Sequence, residues 1–333
     1  MPDATPPITP ASLDAPGKKS APSNLRQRVI YASIGAALLL GSVWFSVWSF
    51  ALFFAAVQVK MLLEFYRMMR AGGTKPAKWI GVGAGLLIFG VLHLFIVCYP
   101  DYAIMFGWPL GWTIFPPLSV LPQAVPDTMQ IGPQLLTASL NAIVWLVAAG
   151  ILLVGLLLRE IALWPNHGQP FANVGATLSG LLYISLPMAF LSIVASTDEG
   201  YDYRRIFGLL FLIWASDIGA YAAGKTFGKH KLAPSISPGK TWEGWAGGFL
   251  LTLAVGWGLK FMMPDVPLAH LLVAAGVVAV FGPLGDLAES MLKRSVGVKD
   301  SGTFMPGHGG LLDRFDAFLL VLPVLALLQL LFS

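Results

Sequence analysis

The chain has 333 residues, of which 56% are hydrophobic and 11% charged, whereas a soluble globular domain carries about 25% charged residues. With 21 basic and 17 acidic side chains it lacks the charge to cover a water-exposed surface, and its mean hydropathy is +0.73. The formal charge of +4 lies in short basic blocks between apolar runs, a membrane-topology pattern that argues against a nucleic-acid partner, and the one cysteine, Cys98, excludes an intramolecular disulfide and a cysteine-based zinc site.

Residues 1–28 hold six prolines and two Ser/Ala/Pro clusters without apolar periodicity, which predicts a flexible tail. The apolar run that follows is too long for the h-region of a cleaved signal peptide. Runs of spanning length then recur at about 29–46, 48–66, 79–98, 137–158, 173–197, 205–223, 245–263, 268–288 and 316–332. None alternates with period two, so the expectation is an all-α, polytopic integral membrane protein with about nine transmembrane helices, and not a β-barrel. Residues 99–136, rich in Pro, Trp and Gly, read as an interfacial or re-entrant segment. Of the 21 Lys and Arg, 17 fall in the tail and in alternate loops on one side. The positive-inside rule then puts the N-terminus and those loops in the cytoplasm, with the C-terminus outside the cell (inner) membrane. We divide the chain into a tail (1–28), a transmembrane scaffold (29–198) and a catalytic transmembrane region (199–333), because the last 130 residues hold most acids and bases that no helix end or tail explains.

A carboxylate at hydrocarbon depth is costly unless paired or hydrated, so such acids are functional candidates. Asp217 stands near the end of its run with Tyr221 and Lys225 on the same face; a boundary ion pair with a lysine would also account for it. The following loop carries Lys225, Lys229, Lys231 and Lys240 with Ser237 and Thr241. It could clamp a polyphosphate, or merely orient the helices as a positive-inside loop. Further on, Asp286, Glu289, Ser290 and Lys293 share one helical arc. Two carboxylates and a hydroxyl suit a hard cation such as Mg²⁺; a solvated helix end with a Glu289–Lys293 bridge is the plainer alternative. A glycine-rich loop through Lys299, Gly302, His308, Gly309 and Gly310 ends in Asp313, Arg314 and Asp316. Such loops can close backbone N–H groups on phosphate oxygens. Asp313 could equally be a helix cap, though a cap does not explain the Lys, His and Arg around it.

Taken together, Ser290-Met-Leu-Lys293-Arg294, Lys299-Asp300, Pro306-Gly-His308-Gly-Gly310 and Asp313-Arg314-Phe-Asp316 resemble the signature of the phosphatidate cytidylyltransferases, or CDP-diacylglycerol synthases. So do Ser237-Pro-Gly-Lys240-Thr241-Trp242-Glu243-Gly244 and Ser216-Asp217 with Ala220-Tyr221. The resemblance is specific over roughly 214–318 and reaches the scaffold through Glu64-Phe65-Tyr66-Arg67. It implies transfer of CMP from CTP to phosphatidate, with release of pyrophosphate, in phospholipid biosynthesis. It further implies Mg²⁺, and room for a second cation, with Asp286 and Asp313 as metal ligands and Ser290 beside them. Lys293, Arg294, Lys240 and Arg314 would bind phosphate oxygens, and Ser237, Thr241, Lys225, Lys299 and Asp217 would support substrate binding. His308 either assists the chemistry or shapes its loop. A homodimer is implied as well. The rival readings are a related CTP-dependent lipid-phosphate cytidylyltransferase, a lipid kinase using CTP, and a transporter whose acids line a pathway. A transporter expects interrupted helices repeated in both halves, and here the polar residues crowd one half.

Overall fold

The computed structural model describes residues 25–94, 96, 127–197, 200–302 and 309–332, with side chains omitted at 25–29, 32, 127–142 and 332. Most of the tail, most of the 99–136 segment, Cys98 and His308 lie outside the described residues.

A helix falls on each of the nine apolar runs. They are α1 (Leu25–Phe45), α2 (Val47–Ala71), α3 (Lys78–His93), α4 (Asp127–Ala162), α5 (Pro170–Val194), α6 (Tyr203–Phe227), α7 (Trp242–Gly258), α8 (Leu268–Ser295) and α9 (Leu312–Phe332). Among the described residues six of these, α2, α4, α5, α6, α8 and α9, are long and apolar enough to cross a membrane. Large apolar side chains such as Phe45, Leu52, Phe171 and Phe261 lie on the outside of the bundle, where a lipid environment accepts them and water would not. The Ile143–Ala162 window of α4 is only 11% buried, so this helix sits at the periphery.

Local chemistry sets the breaks. Ser46 and Ser49 form a reciprocal capping box that ends α1 and starts α2. Within α5, Pro187 lacks the N–H that would bond to Tyr183, and the turn just before it, Leu181–Ser185, is widened to a π-helix in which Leu186 N–H reaches Leu181 C=O. Two short antiparallel ribbons punctuate the loops, β1 (Ser196–Thr197) with β2 (Gly200–Tyr201), and β3 (Lys231–Ala233) with β4 (Ser237–Thr241). The second falls in the lysine-rich segment expected to be a plain loop, with Lys231 opposite Thr241 and Ala233 opposite Ser237.

One apolar core runs from Phe50, Phe54 and Met61 of α2 through Met188 and Leu191 of α5 to Leu210 of α6 and Leu322 of α9, on both sides of the 198/199 division. Bare backbone lets the helices after residue 202 approach closely. A Cβ at Gly219 of α6 would lie 2.7 Å from Gly247 O of α7, and one at Gly248 would lie 2.7 Å from Ser216 O. Small residues at such crossings are the usual means of close packing between membrane helices. The antiparallel pair α8 and α9 meets in the same way at Gly285, where a Cβ would lie 2.5 Å from Asp316 O. That crossing places Asp286 beside the first turns of α9.

Candidate active site

At the end of the bundle where α6, β4, α7, α8 and α9 converge lies a cavity of about 710 Å³. Its walls carry Asp217, Tyr221 and Lys225 from α6, Lys240 and Thr241 from β4, Asp286 from α8, and Asp313, Arg314 and Asp316 from α9. Seven of the site residues expected from the sequence therefore meet in one space: Asp217, Lys225, Lys240, Thr241, Asp286, Asp313 and Arg314.

Pro283 shapes the α8 wall. Without an N–H it cannot bond to Ala279 C=O, and the indole N–H of Trp245 donates to that carbonyl at 3.1 Å. The Pro283 carbonyl accepts from Lys240 Nζ at 3.0 Å, which holds the amine 2.7 Å from Asp286 Oδ2. Ser290 Oγ, one turn further, donates to Asp286 Oδ1 at 3.2 Å. Deeper in, Lys293 Nζ sits between Glu289 Oε2 at 2.8 Å and Asp313 Oδ1 at 2.7 Å. The other oxygen of Asp313 accepts from Gly310 N–H at 2.7 Å and Ser301 Oγ at 2.9 Å; Asp313 lies inside the first turn of α9 and its bonds run back to the preceding loop, so it is not the N-cap the sequence also allowed. Thr241 caps α7, accepting from Gly244 N–H at 3.1 Å.

Asp286, Glu289 and Asp316 each offer an oxygen within 4.8 Å of the others. Asp313 is not in that group, its oxygens being held by Lys293, Ser301 and Gly310. Glu289 and Asp316 are thus functional candidates left out of the sequence-derived site residues. The signal for Glu289 was its place on the Asp286 arc, and for Asp316 its place one turn beyond Asp313. The three carboxylates repel one another at this range, and Glu289 Oε1 is buried without a hydrogen-bond partner. An all-oxygen set with one unsatisfied buried oxygen fits a hard divalent cation. Ser237 begins β4, while Arg294 and Lys299 are exposed, and none of the three lines the cavity.

A further carboxylate comes from the other half. Glu64 of α2 is 3% exposed. Its Oε2 accepts from Leu312 N–H, the first residue of α9, at 3.0 Å, and lies 3.4 Å from Ser301 Oγ.

The chain is similar to known proteins. Over 180 residues, 54% of this chain and 66% of the relative, the sequence is 44% identical to a phosphatidate cytidylyltransferase of Bacillus subtilis. Phosphatidate cytidylyltransferases of Staphylococcus saprophyticus and Staphylococcus epidermidis are 42% and 38% identical over 159 and 180 residues, 47% and 54% of this chain and 60% and 68% of theirs. The matched stretch thus spans about two thirds or less of the first relatives' own length. The profile of the Cytidylyltransferase family matches residues 26–332, nearly the whole chain, and the protein belongs to that family.

Proposed function

We propose that the protein is a CTP:phosphatidate cytidylyltransferase that makes CDP-diacylglycerol and pyrophosphate. The observation that carries this reading is the convergence of acids and bases from α6, β4, α8 and α9 on one cavity at the end of an apolar bundle. Such a place lets a lipid phosphate enter from the bilayer surface and a nucleotide from water. Its relatives' names match the reaction.

In this reaction an oxygen of the phosphatidate phosphate attacks the α-phosphorus of CTP, the bond from that phosphorus to the α–β bridging oxygen breaks, and pyrophosphate leaves. The nucleophile is already an anion at neutral pH, so no side chain has to remove a proton. The work left to the protein is bringing two anions together and stabilising charge on the leaving group. Asp286, Glu289 and Asp316 would hold Mg²⁺, which when bound polarises phosphate oxygens and neutralises their charge. Lys240 and Arg314 lie on the same walls and bind phosphate oxygens, the arginine with the planar fork suited to two of them. Lys225 extends that basic rim, its Nζ 5.6 Å from the Tyr221 ring. Lys293 keeps Asp313 and Glu289 from repelling each other, and Ser290 orients Asp286. Asp217 stands on the α6 wall facing this group. Nine spans with the N-terminus and the site in the cytoplasm agree with a helix on every apolar run and with the basic residues gathered at the cavity end.

The test uses purified protein, phosphatidate, Mg²⁺ and CTP labelled at either the α- or the γ-phosphate. The α-label should enter the lipid, pyrophosphate should appear in equal amount, and a chelator should stop both. Entry of the γ-label would make the protein a lipid kinase and overturn the proposal.

A further inference from the structure

We infer that Glu64, contributed by the scaffold half, is a positioning residue that holds the first turn of α9, together with Ser301, Gly302 and Gly310 before it, in register with α8; the inference rests on reading the cavity as the cytidylyl-transfer site. Glu64 lines no part of the cavity and touches no group assigned to substrate. It is nevertheless a carboxylate at the end of a spanning helix, a placement that is expensive and has to be compensated.

The compensation is specific. The first N–H groups of a helix have no partner within it, and Glu64 Oε2 takes that of Leu312 at 3.0 Å. A carboxylate at this end also opposes the positive pole of α9. Lys60, one turn back on α2, stands 3.7 Å from Oε1. The loop backbone lies directly on the carboxylate: a Cβ at Gly302 would overlap Oε1, and one at Gly310 would lie 2.5 Å from Oε2. Glycine at both positions is what allows the approach. The Ser301 hydroxyl stands between the two acids, 2.9 Å from Asp313 Oδ2 and 3.4 Å from Glu64 Oε2, and its single hydrogen serves the nearer.

From α2 to the cavity there is therefore an unbroken set of contacts: Glu64 to Leu312 and Ser301, Ser301 to Asp313, Asp313 to Lys293, and Lys293 to Glu289. Asp316 lies one turn beyond Asp313 on the helix whose start Glu64 pins. Removing the carboxylate frees the Leu312 amide and lets that first turn move, and displacements on the order of 1 Å at a reacting centre cost about 10²-fold in rate.

Three variants and two readouts test this. In Glu64→Ala, kcat per folded enzyme should fall about 10²-fold while KM for CTP stays within about twofold, and hydrogen exchange over residues 309–316 should speed up. Glu64→Gln keeps an acceptor oxygen for Leu312 and should restore most of kcat. Ser301→Ala should lower kcat in the same direction, and the pair Glu64→Ala with Ser301→Ala should lose less than the product of the single losses. A folded Glu64→Ala with wild-type kcat and unchanged exchange at 309–316 overturns the inference. Should Glu64→Ala not fold, a wild-type kcat in Ser301→Ala overturns it. Exchange reads the pinning without any turnover. Wild-type protein that makes no CDP-lipid would sink the functional reading, and faster exchange in Glu64→Ala would still establish the contact.

Discussion

Gly285→Ala should separate α8 from α9 and thereby disable the site with little damage to the fold. A Cβ at position 285 would lie 2.5 Å from Asp316 O and 3.0 Å from Ala317 Cα, both backbone atoms that no rotamer change can move aside. Ordinary carbon contacts begin near 3.5 Å, so the helices must part locally by about 1 Å. Overpacking of this kind costs about 1–3 kcal/mol. That lowers the melting temperature but leaves most of the bundle in place. The site is less tolerant, because Asp286 is the next residue on α8 and Asp316 is the residue struck on α9. Their oxygens belong to a group no wider than 4.8 Å, and a shift of about 1 Å at a reacting centre costs about 10²-fold. The assay is CDP-diacylglycerol formation by purified protein, with melting followed in the same detergent. Gly276→Ala is the control, since the same helix has nothing within 4 Å of a Cβ there; it should melt and turn over like the parent. Gly285→Ala with parental activity would show that the α8–α9 spacing does not set the chemistry.

Other substitutions address single contacts. Asp286→Asn removes one acid of the three-carboxylate group and the partner of Lys240, and should lower CDP-lipid formation by about 10²-fold or more; normal turnover would remove Asp286 from the site. Lys240→Ala should raise KM for CTP about tenfold, the effect of losing one charge-assisted hydrogen bond of about 1.5 kcal/mol, and an unaltered CTP titration would dissociate this lysine from the nucleotide. Trp245→Phe leaves Ala279 C=O without the indole donor beside Pro283, so thermal stability should drop by about 1 kcal/mol, and an unmoved melting temperature would show that the carbonyl finds another partner.

Elements of the bundle were readable because the apolar runs recur at about bilayer length, although only six of the described helices are themselves long and apolar enough to cross a membrane. The break between the runs at 29–46 and 48–66 was readable, while the Ser46–Ser49 capping box that makes it was not, since serine at the third helical position lacks the usual Glu or Gln signature. The site was readable in part. Asp286, Glu289 and Lys293 share an arc of one helix, and the structure pairs Glu289 with Lys293, the bridge that the spacing offered as the plainer alternative to a cation site. Which acid of α9 joins Asp286 was not readable. Asp313 and Asp316 lie one turn apart on the same side of the helix, and the choice depends on how α9 crosses α8 at Gly285, a contact between residues 31 apart in the chain. Glu64 was harder still, since its partners lie 237 and 248 residues downstream. The available signals were the family resemblance at Glu64-Phe65-Tyr66-Arg67 and a carboxylate near the end of an apolar run, and neither says which residues Glu64 would meet. The β3–β4 ribbon went unread because its strands are only three and five residues long and no alternation of apolar side chains marks them.

The balance of charge on the cavity walls bears on the need for a cation. Asp217, Asp286, Asp313 and Asp316 face Lys225, Lys240 and Arg314, and the nearby Lys293 is matched by Glu289. Side chains alone therefore leave the cavity with no surplus of positive charge. A nucleotide triphosphate and a lipid phosphate would both be repelled from such walls if nothing else entered with them. The bases are also partly occupied by the acids, as the 2.7 Å pair of Lys240 with Asp286 illustrates. An acidic site that handles two anions is intelligible if the acids serve a divalent cation, whose arrival releases Lys240 to phosphate and reverses the local field. On this argument phosphatidate and CTP bind weakly to metal-free protein, and adding Mg²⁺ tightens CTP far more than it tightens a neutral nucleoside. Equilibrium binding of CTP and of cytidine, each with and without Mg²⁺, measures that difference; equal affinities for CTP in both conditions would mean that the carboxylates serve some other end.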